Sequence, residues 1–387
     1  MRSSLLAGTG LAALAVLLLG AADPPDAAQA AAAEEAGGEE GVALVAEAAT
    51  VMPIEGGVSA RPRPGWRGSY PTGAVFTGVE GWVMVGLCVT PEGKVVDPVI
   101  EDSSGLKVFE QALLKDLRGA SFLPATVQGE PVYQCMRLQV VYNTPGQTGA
   151  RTSFLRDYRK LQGLIQAGAL DEAQASLDVL AKGTVTLYEA SWIRLARASL
   201  FQQRGELEKA AAQLSGCVFG KGAHLDDPKA YRVALRQLFQ LQVATKQYRK
   251  ALDTWADIEK LKLQPEDARI EELAGELRAL VDAPRHIAFE GEIRQHRDES
   301  PAYWHHELLR RKFAFDQVEG RVERFDLRCD WKRARAPIST EVTVEVPESW
   351  GHCDLYVYGD AGTKLALIEY PAASPGTGPD GSPSAGL

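Results

Sequence analysis

The sequence lacks the short motifs on which catalysis most often depends. It contains no Cys-x-x-Cys pair, no Gly-x-Ser-x-Gly nucleophile turn and no dinucleotide fingerprint after a strand. The histidines of His305-His306-Glu307 are adjacent and lack the i, i+4 spacing that puts two zinc ligands on one helical face. We therefore expect no catalytic residue, no metal site and no cofactor, and the chain is predicted to be non-enzymatic.

Concentrated positive charge is also absent. The formal net charge is -9 over 387 residues, and no cluster of Lys and Arg offsets it. Because binding to phosphate backbones depends on a basic field, this balance argues against nucleic acid as the main partner.

Long apolar runs are confined to the beginning of the chain. Arg2 precedes an apolar run from Leu11 to Leu19, and the small residues Gly20-Ala21-Ala22 follow it. This pattern predicts a cleaved secretory signal over residues 1–22. An uncleaved inner-membrane anchor remains the alternative, since the run approaches spanning length, and only then is a membrane contact expected.

Two segments have the composition of disordered chain. Residues 23–60 are rich in Ala, Glu, Gly and Pro, and residues 372–387 in Pro, Gly and Ser. Such segments cannot bury enough apolar surface to fold, so we predict a disordered leader and a disordered tail.

Residues 61–145 have the pattern strand, tight turn, strand, helix, strand. Their motifs are Tyr70-Pro71, Gly78-x-x-Gly81-x-Val83, a turn at Gly93 before Val95-Val96, the acidic corner Glu101-Asp102-Ser103-Ser104-Gly105, an amphipathic helix and Phe122-x-Pro124-Ala125. This stretch resembles the periplasmic C-terminal domain of TonB-type energy transducers. The resemblance implies a three-stranded antiparallel sheet with one helix, in the periplasm.

The resemblance also implies a binding site. TonB-type domains bind an extended segment of an outer-membrane receptor beside their last strand, here Gln134 to Tyr142. Strand alternation places Arg137, Gln139 and Val141 on the face away from the helix, where they are expected to add selectivity for the peptide.

Strand alternation also places Cys88 and Cys135 on the face away from the helix. If the first and third strands are neighbours, as in the family, these two cysteines are candidates for a disulfide; two free thiols are the alternative. Cys329 and Cys353 form a second candidate pair, which leaves Cys217 unpaired.

Residues 150–284 have helical periodicity and an internal repeat. Gly168-x-Leu-x-x-Ala173 and Gly205-x-Leu-x-x-Ala210 share one frame, which Lys246-x-Tyr-x-x-Ala251 repeats without the glycine. The spacing is close to the roughly 34 residues of tetratricopeptide repeats. We predict three stacked helical hairpins of this type, with a generic helical bundle as the alternative.

Residues 285–371 alternate with a period of two between Pro, Gly and Asp positions, as in His286–Ile293 and Leu355–Tyr358. This pattern predicts a small antiparallel β domain. The overall fold class is therefore an α+β multidomain protein: a TonB-like domain, helical hairpins, then the β domain.

Binding is the function class that these features favour. The main hypothesis is a periplasmic adaptor whose partners are extended segments of an outer-membrane receptor or of a periplasmic protein. A variant energy transducer in receptor-mediated transport is one alternative, although the family's membrane-anchored histidine and proline-rich rod are not found. An envelope enzyme with its site in the β domain is the other.

Overall fold

The computed structural model describes residues 42–43, 51–66, 68–144, 149–184, 186–296 and 301–371. Within these ranges the chain forms two compact units. The helical unit contains the described residues of 150–183 and 191–274, and the β unit contains those of 31–149, 184–190 and 275–387. The predicted signal, residues 23–41 and 44–50 of the predicted leader, and the tail lie outside the described residues. The described part of the leader contains the strands Val42–Ala43 and Gly57–Val58 and the buried Ala60. The prediction of disorder is therefore wrong for this part.

The elements follow the predicted order. The strands are β1 (Val42–Ala43), β2 (Gly57–Val58), β3 (Arg61–Pro62), β4 (Gly81–Val89), β5 (Val95–Ser103), β6 (Phe122–Leu123), β7 (Ala125–Val127), β8 (Glu130–Val132), β9 (Gln134–Tyr142), β10 (Ile287–Glu292), β11 (Tyr303–Glu307), β12 (Lys312–Glu319), β13 (Val322–Cys329), β14 (Arg333–Ala336), β15 (Thr343–Glu345), β16 (Cys353–Gly359) and β17 (Lys364–Tyr370). The helices are α1 (Thr72–Thr77), α2 (Lys107–Arg118), α3 (Thr152–Gln166), α4 (Leu170–Lys182), α5 (Leu187–Gln203), α6 (Leu207–Val218), α7 (Pro228–Ala244), α8 (Tyr248–Lys260) and α9 (Ala268–Asp282). Among the described helices, none combines the length and the apolar character needed to cross a membrane.

The first sheet of the β unit has the strand order β1-β9-β4-β5. Strands β4 and β9 are antiparallel neighbours over nine residues, from Gly81 opposite Tyr142 to Val89 opposite Gln134. Helix α2 covers one face with buried Phe109, Leu113 and Leu117, which pack on the inward residues of β4 and β9. The α+β prediction for this region, a small antiparallel sheet with a helix, is confirmed. The sheet has four strands rather than the predicted three, because β1, from outside the predicted domain, pairs with β9.

The C-terminal strands form two further antiparallel sheets, with orders β10-β17-β12-β15 and β11-β16-β13-β14. Phe313 and Phe315 on β12 pack against Phe325 on β13, with ring centroids 6.1 and 5.7 Å apart. The two sheets therefore share an aromatic core, as alternation of apolar and polar residues on antiparallel strands requires. The predicted antiparallel β domain is confirmed.

The first sheet and the C-terminal strands belong to one compact unit, whereas the sequence predicts separate domains over 61–145 and 285–371. The reason is that β4 is apolar on both faces: Val83 faces α2, while Trp82 and Met84 face the other way. A sheet with two apolar faces needs a cover on each of them. Val99 of β5 accordingly packs in one cluster with the tyrosines of the C-terminal strands.

Both candidate disulfides are present. Cys88 and Cys135 lie directly opposite each other on β4 and β9, with their sulfurs 2.06 Å apart. Cys329 and Cys353 lie opposite each other on β13 and β16, with a sulfur separation of 1.99 Å. Cys217 is buried and belongs to neither disulfide, as predicted, and its Sγ donates to the backbone oxygen of Ser191 at 3.4 Å.

The helical unit contains the three predicted hairpins, α3/α4, α5/α6 and α7/α8. The repeated alanines Ala173, Ala210 and Ala251 are wholly buried, which permits close approach of the paired helices. In the middle hairpin, Leu195, Ala198, Ala210 and Leu214 are buried, while Phe201 and Leu207 are half-buried. The tetratricopeptide assignment itself stays a prediction.

The three hairpins turn in the same way. Gly168, Gly205 and Lys246 have φ of 71°, 74° and 58°. In each turn the next amide bonds back five residues to a carbonyl of the preceding helix: Ala169 to Leu164, Glu206 to Phe201 and Gln247 to Gln242. Lys246 therefore adopts the left-handed conformation that glycine provides in the other two hairpins.

The turn residues can be tested by exchanging side chains at equivalent positions. Gly168→Ala and Gly205→Ala should each lower the free energy of unfolding by about 1 kcal/mol, because only the positive φ opposes the added methyl group; a Cβ at either glycine meets no atom within 4 Å. Lys246→Gly should raise it by about 0.5 kcal/mol. Thermal unfolding of the three variants checks this, and destabilisation by Lys246→Gly would contradict it.

The cysteine pairing can be tested by alkylation followed by intact mass measurement. The native chain should resist alkylation, because Cys217 is buried and the other four cysteines are paired. Denaturation without reduction should expose one thiol, and denaturation with reduction all five. Alkylation of three or more cysteines without reduction would contradict the pairing.

Candidate functional site

The candidate site is the first sheet, whose two edges differ. On one edge, β5 is irregular: its register against β4 shifts twice, Asp97 has φ of 47°, and Pro98 follows it. Bulges and proline are features that prevent a further strand from pairing with a sheet edge. The opposite strand, β9, is nine residues long, contains no proline and pairs with β4 without a shift.

Strand β9 is not a bare outer strand. The two-residue strand β1 pairs with its C-terminal end in antiparallel register, with Val42 opposite Tyr142 and Ala43 opposite Val141. Among the described residues no strand pairs with residues 134–140 on this side. The last strand thus combines a regular backbone with an edge that is occupied at one end only.

The face that carries the predicted selectivity residues is covered. Gln139 is 1% exposed and Val141 5% exposed, and Val141 packs with Trp82 and with Leu187 at the start of α5. Neither amide atom of Gln139 has a hydrogen-bond partner among the described residues. The expectation of an open face for Arg137, Gln139 and Val141 is therefore wrong, because the apolar residues around them pack against other parts of the β unit. Their role in peptide binding stays a prediction.

Arg137 joins the first sheet to the C-terminal strands. Its Nε donates to Glu101 Oε2 at 2.7 Å, and its Nη2 contacts Glu307 Oε1 and Asp354 Oδ1, the latter at 3.3 Å. Burial lowers the pKa of Arg137, but the three carboxylates outweigh it and hold that pKa well above its usual value. The guanidinium is the cation of a mostly buried cluster with three acids.

Tyr356 extends this cluster. Its hydroxyl donates to Glu101 Oε1 at 3.3 Å, and burial, followed by the charge of Glu101, raises the pKa of this phenol. The guanidinium of Arg328 lies 4.3 Å from the centre of the Tyr356 ring and donates to the backbone oxygen of Asp97 at 3.1 Å. Polar contacts thus link β5 with β13 and β16 as well.

No local pattern in the sequence indicates the acids that surround Arg137. The sequence places Glu101 with Asp102 at an acidic corner, and Glu307 beside two histidines whose spacing does not suit a metal. One residue in the sequence does indicate a close contact at this place, namely Gly86 in the middle of β4. A Cβ at this position would lie 2.3 Å from Glu101 Oε1. A glycine inside a strand often marks such a close approach.

His305, Glu307 and Asp354 are the described residues whose arrangement suits a metal ion, with their ligand atoms within 4.8 Å of one another. His305 Nε2 is 2.8 Å from Asp354 Oδ1, and Arg137 already contacts both acids. A guanidinium thus already pairs with the two carboxylates that a metal would need. His306 faces the other way, with Nε2 2.8 Å from Glu369 Oε1, so the adjacent histidines do not form one site.

The regular last strand, the single helix beneath the sheet and the strand order agree with the family that the sequence motifs indicate. Residues 67–144 match the family model of the Gram-negative bacterial TonB protein C-terminal. The match covers about a fifth of the 387 residues, and we call this part the TonB-like module. Comparison with curated proteins gives no match. The TonB-like module is associated with protein–protein interaction at the cell envelope.

The ionic cluster of the TonB-like module can be tested by substitution. Arg137→Ala should lower the free energy of unfolding of the β unit by about 2–4 kcal/mol, because three mostly buried carboxylates lose their cation. The control is Arg294→Ala, whose side chain is 63% exposed beside Glu292; an exposed pair of this kind contributes less than about 1 kcal/mol. Urea unfolding measures the free energy of unfolding of both variants, and hydrogen exchange of residues 134–142 measures how often β9 opens in each. Equal effects would contradict the assigned role of Arg137.

Proposed function

We propose that the protein is an exported, periplasmic adaptor that binds an extended segment of a partner along the outer edge of β9. The observation that carries this proposal is the difference between the two sheet edges. Strand β5 has Pro98, a positive φ at Asp97 and two register shifts, while β9 is regular over nine residues. Only β9 presents a backbone that suits addition of a strand.

The family match supports this choice, because the resemblance implies strand addition at the same position. Side-chain selectivity then comes from the ends of β9 rather than from the covered face. Tyr133, immediately before β9, is 37% exposed, whereas Gln139 and Val141 are buried. The contacts are therefore mainly with the backbone, and one edge accepts several sequences.

The proposal assigns no catalysis to the chain. His305 and Glu307 are engaged in contacts with Asp354 and Arg137 respectively. The contact of Glu307 with Arg137 joins a C-terminal sheet to the first sheet. A structural role for this cluster is the simpler account, since Arg137 already pairs with its carboxylates.

Site-specific photo-crosslinking in cells tests the proposed edge. A p-benzoyl-phenylalanine at position 133 should capture a partner, because this residue is exposed and lies next to β9. The control position is Val179 on α4, which is 73% exposed. Mass spectrometry of the products should identify an outer-membrane receptor or a periplasmic protein, crosslinked through an extended segment.

Products that are the same at positions 133 and 179, or no product at 133, would contradict peptide binding at β9. Capture of an outer-membrane receptor that disappears when the proton-motive force is collapsed would instead favour the alternative, a variant energy transducer. The family match is the observation that supports this alternative.

A further inference from the structure

The chain contains a strand of its own at the edge to which the partner is assigned. Val42 and Ala43, well before the TonB-like module in sequence, form β1 and pair antiparallel with Tyr142 and Val141. Val42 is a residue type that favours β-strands, and alanine is tolerated in them. In the sequence, the uncharged aliphatic stretch continues through Leu44-Val45-Ala46.

Burial is higher along β9 than along the other outer strand. Every residue of β9 except Arg137 is buried. Tyr142, which pairs with Val42 of β1, is 0% exposed. The other outer strand, β5, is by contrast largely half-exposed.

We propose that Val42–Ala43 is an internal ligand of β9, and that the partner is an extended, uncharged aliphatic segment that replaces it in the same antiparallel orientation. This inference rests on the proposed function and adds the chemistry of the partner and the regulation of the site. The leader strand occupies the C-terminal end of this edge until a longer strand displaces it.

The competition follows from the lengths of the two strands. Strand β1 covers two of the nine residues of β9. A partner segment that also pairs along residues 134–140 forms more backbone hydrogen bonds than β1 does, each worth about 1 kcal/mol net. The tethered leader is present at a high effective concentration. A partner can pair fully only while β1 is detached, so the apparent affinity for the partner falls in proportion to the fraction of time that the edge is free of β1.

The test uses a peptide copied from the chain itself. A fluorescent peptide of residues 38–47, Gly-Glu-Glu-Gly-Val-Ala-Leu-Val-Ala-Glu, is titrated into the purified chain and into its Val42→Pro/Ala43→Pro variant. Proline removes the N–H groups of β1, and losing one to two backbone hydrogen bonds corresponds to a change of about tenfold in affinity. We expect the peptide to bind the variant about tenfold more tightly than the parent chain.

A matched control keeps the backbone donors. The Val42→Thr/Ala43→Thr variant retains both N–H groups, keeps a β-branched residue at position 42 and introduces one at position 43, so its affinity for the peptide should equal that of the parent chain or be lower. Hydrogen exchange of residues 134–142 should be faster in the proline variant and unchanged in the threonine variant. A peptide with the same composition in scrambled order reports on non-specific binding.

The outcomes separate this inference from the proposed function. Equal affinity of the parent and proline variant, or no binding of the peptide to either, overturns the internal ligand, and a partner crosslinked from position 133 then still supports the adaptor. Tighter binding by the proline variant without any crosslinked partner supports the internal ligand and counts against the adaptor.

Discussion

The β unit depends on one ionic contact, the guanidinium of Arg137 among the carboxylates of Glu101, Glu307 and Asp354. A charge in this position is unfavourable unless it is paired and hydrogen-bonded. The TonB-like module supplies the cation and one acid, and the C-terminal strands supply the other two acids. Neither part satisfies the cluster alone, so the first sheet and the C-terminal strands fold as one unit. Apolar packing of Val99 with Tyr303, Tyr356 and Tyr358 acts in the same direction.

This arrangement limits where a partner can bind. The face of the first sheet opposite α2 is used for internal packing, and α2 covers the other face, so the edges remain. Strand β5 is made unsuitable by Pro98 and by its two register shifts, which leaves β9. The disulfide between Cys88 and Cys135 joins β9 to β4 at directly opposed positions. A partner strand thus meets a backbone that is held in place on its inner side, which lowers the entropic cost of pairing.

Strand β1 gives the binding edge a second feature. Because β9 is regular and apolar, a permanently open edge would pair with other chains without selectivity. A short strand from the same polypeptide protects it at low cost in affinity, since two residues are easily displaced by a longer segment. The occupied end of the edge and the regular backbone are therefore compatible: pairing with β1 limits unwanted pairing, and the regular backbone permits binding of a suitable partner.

The sequence by itself determined the elements of the fold and their order. Period-two and helical patterns located the TonB-like sheet, the hairpins and the C-terminal strands, and alternation put Cys88 and Cys135 on one face, because these signals are local. The repeated frame also marked Lys246 as a turn residue. The tertiary structure alone decided that the face of Arg137, Gln139 and Val141 is covered, that Glu307 and Asp354 meet Arg137, and that Val42–Ala43 lies beside β9. These contacts join residues far apart in the chain, and their energies depend on burial and geometry that no local pattern encodes.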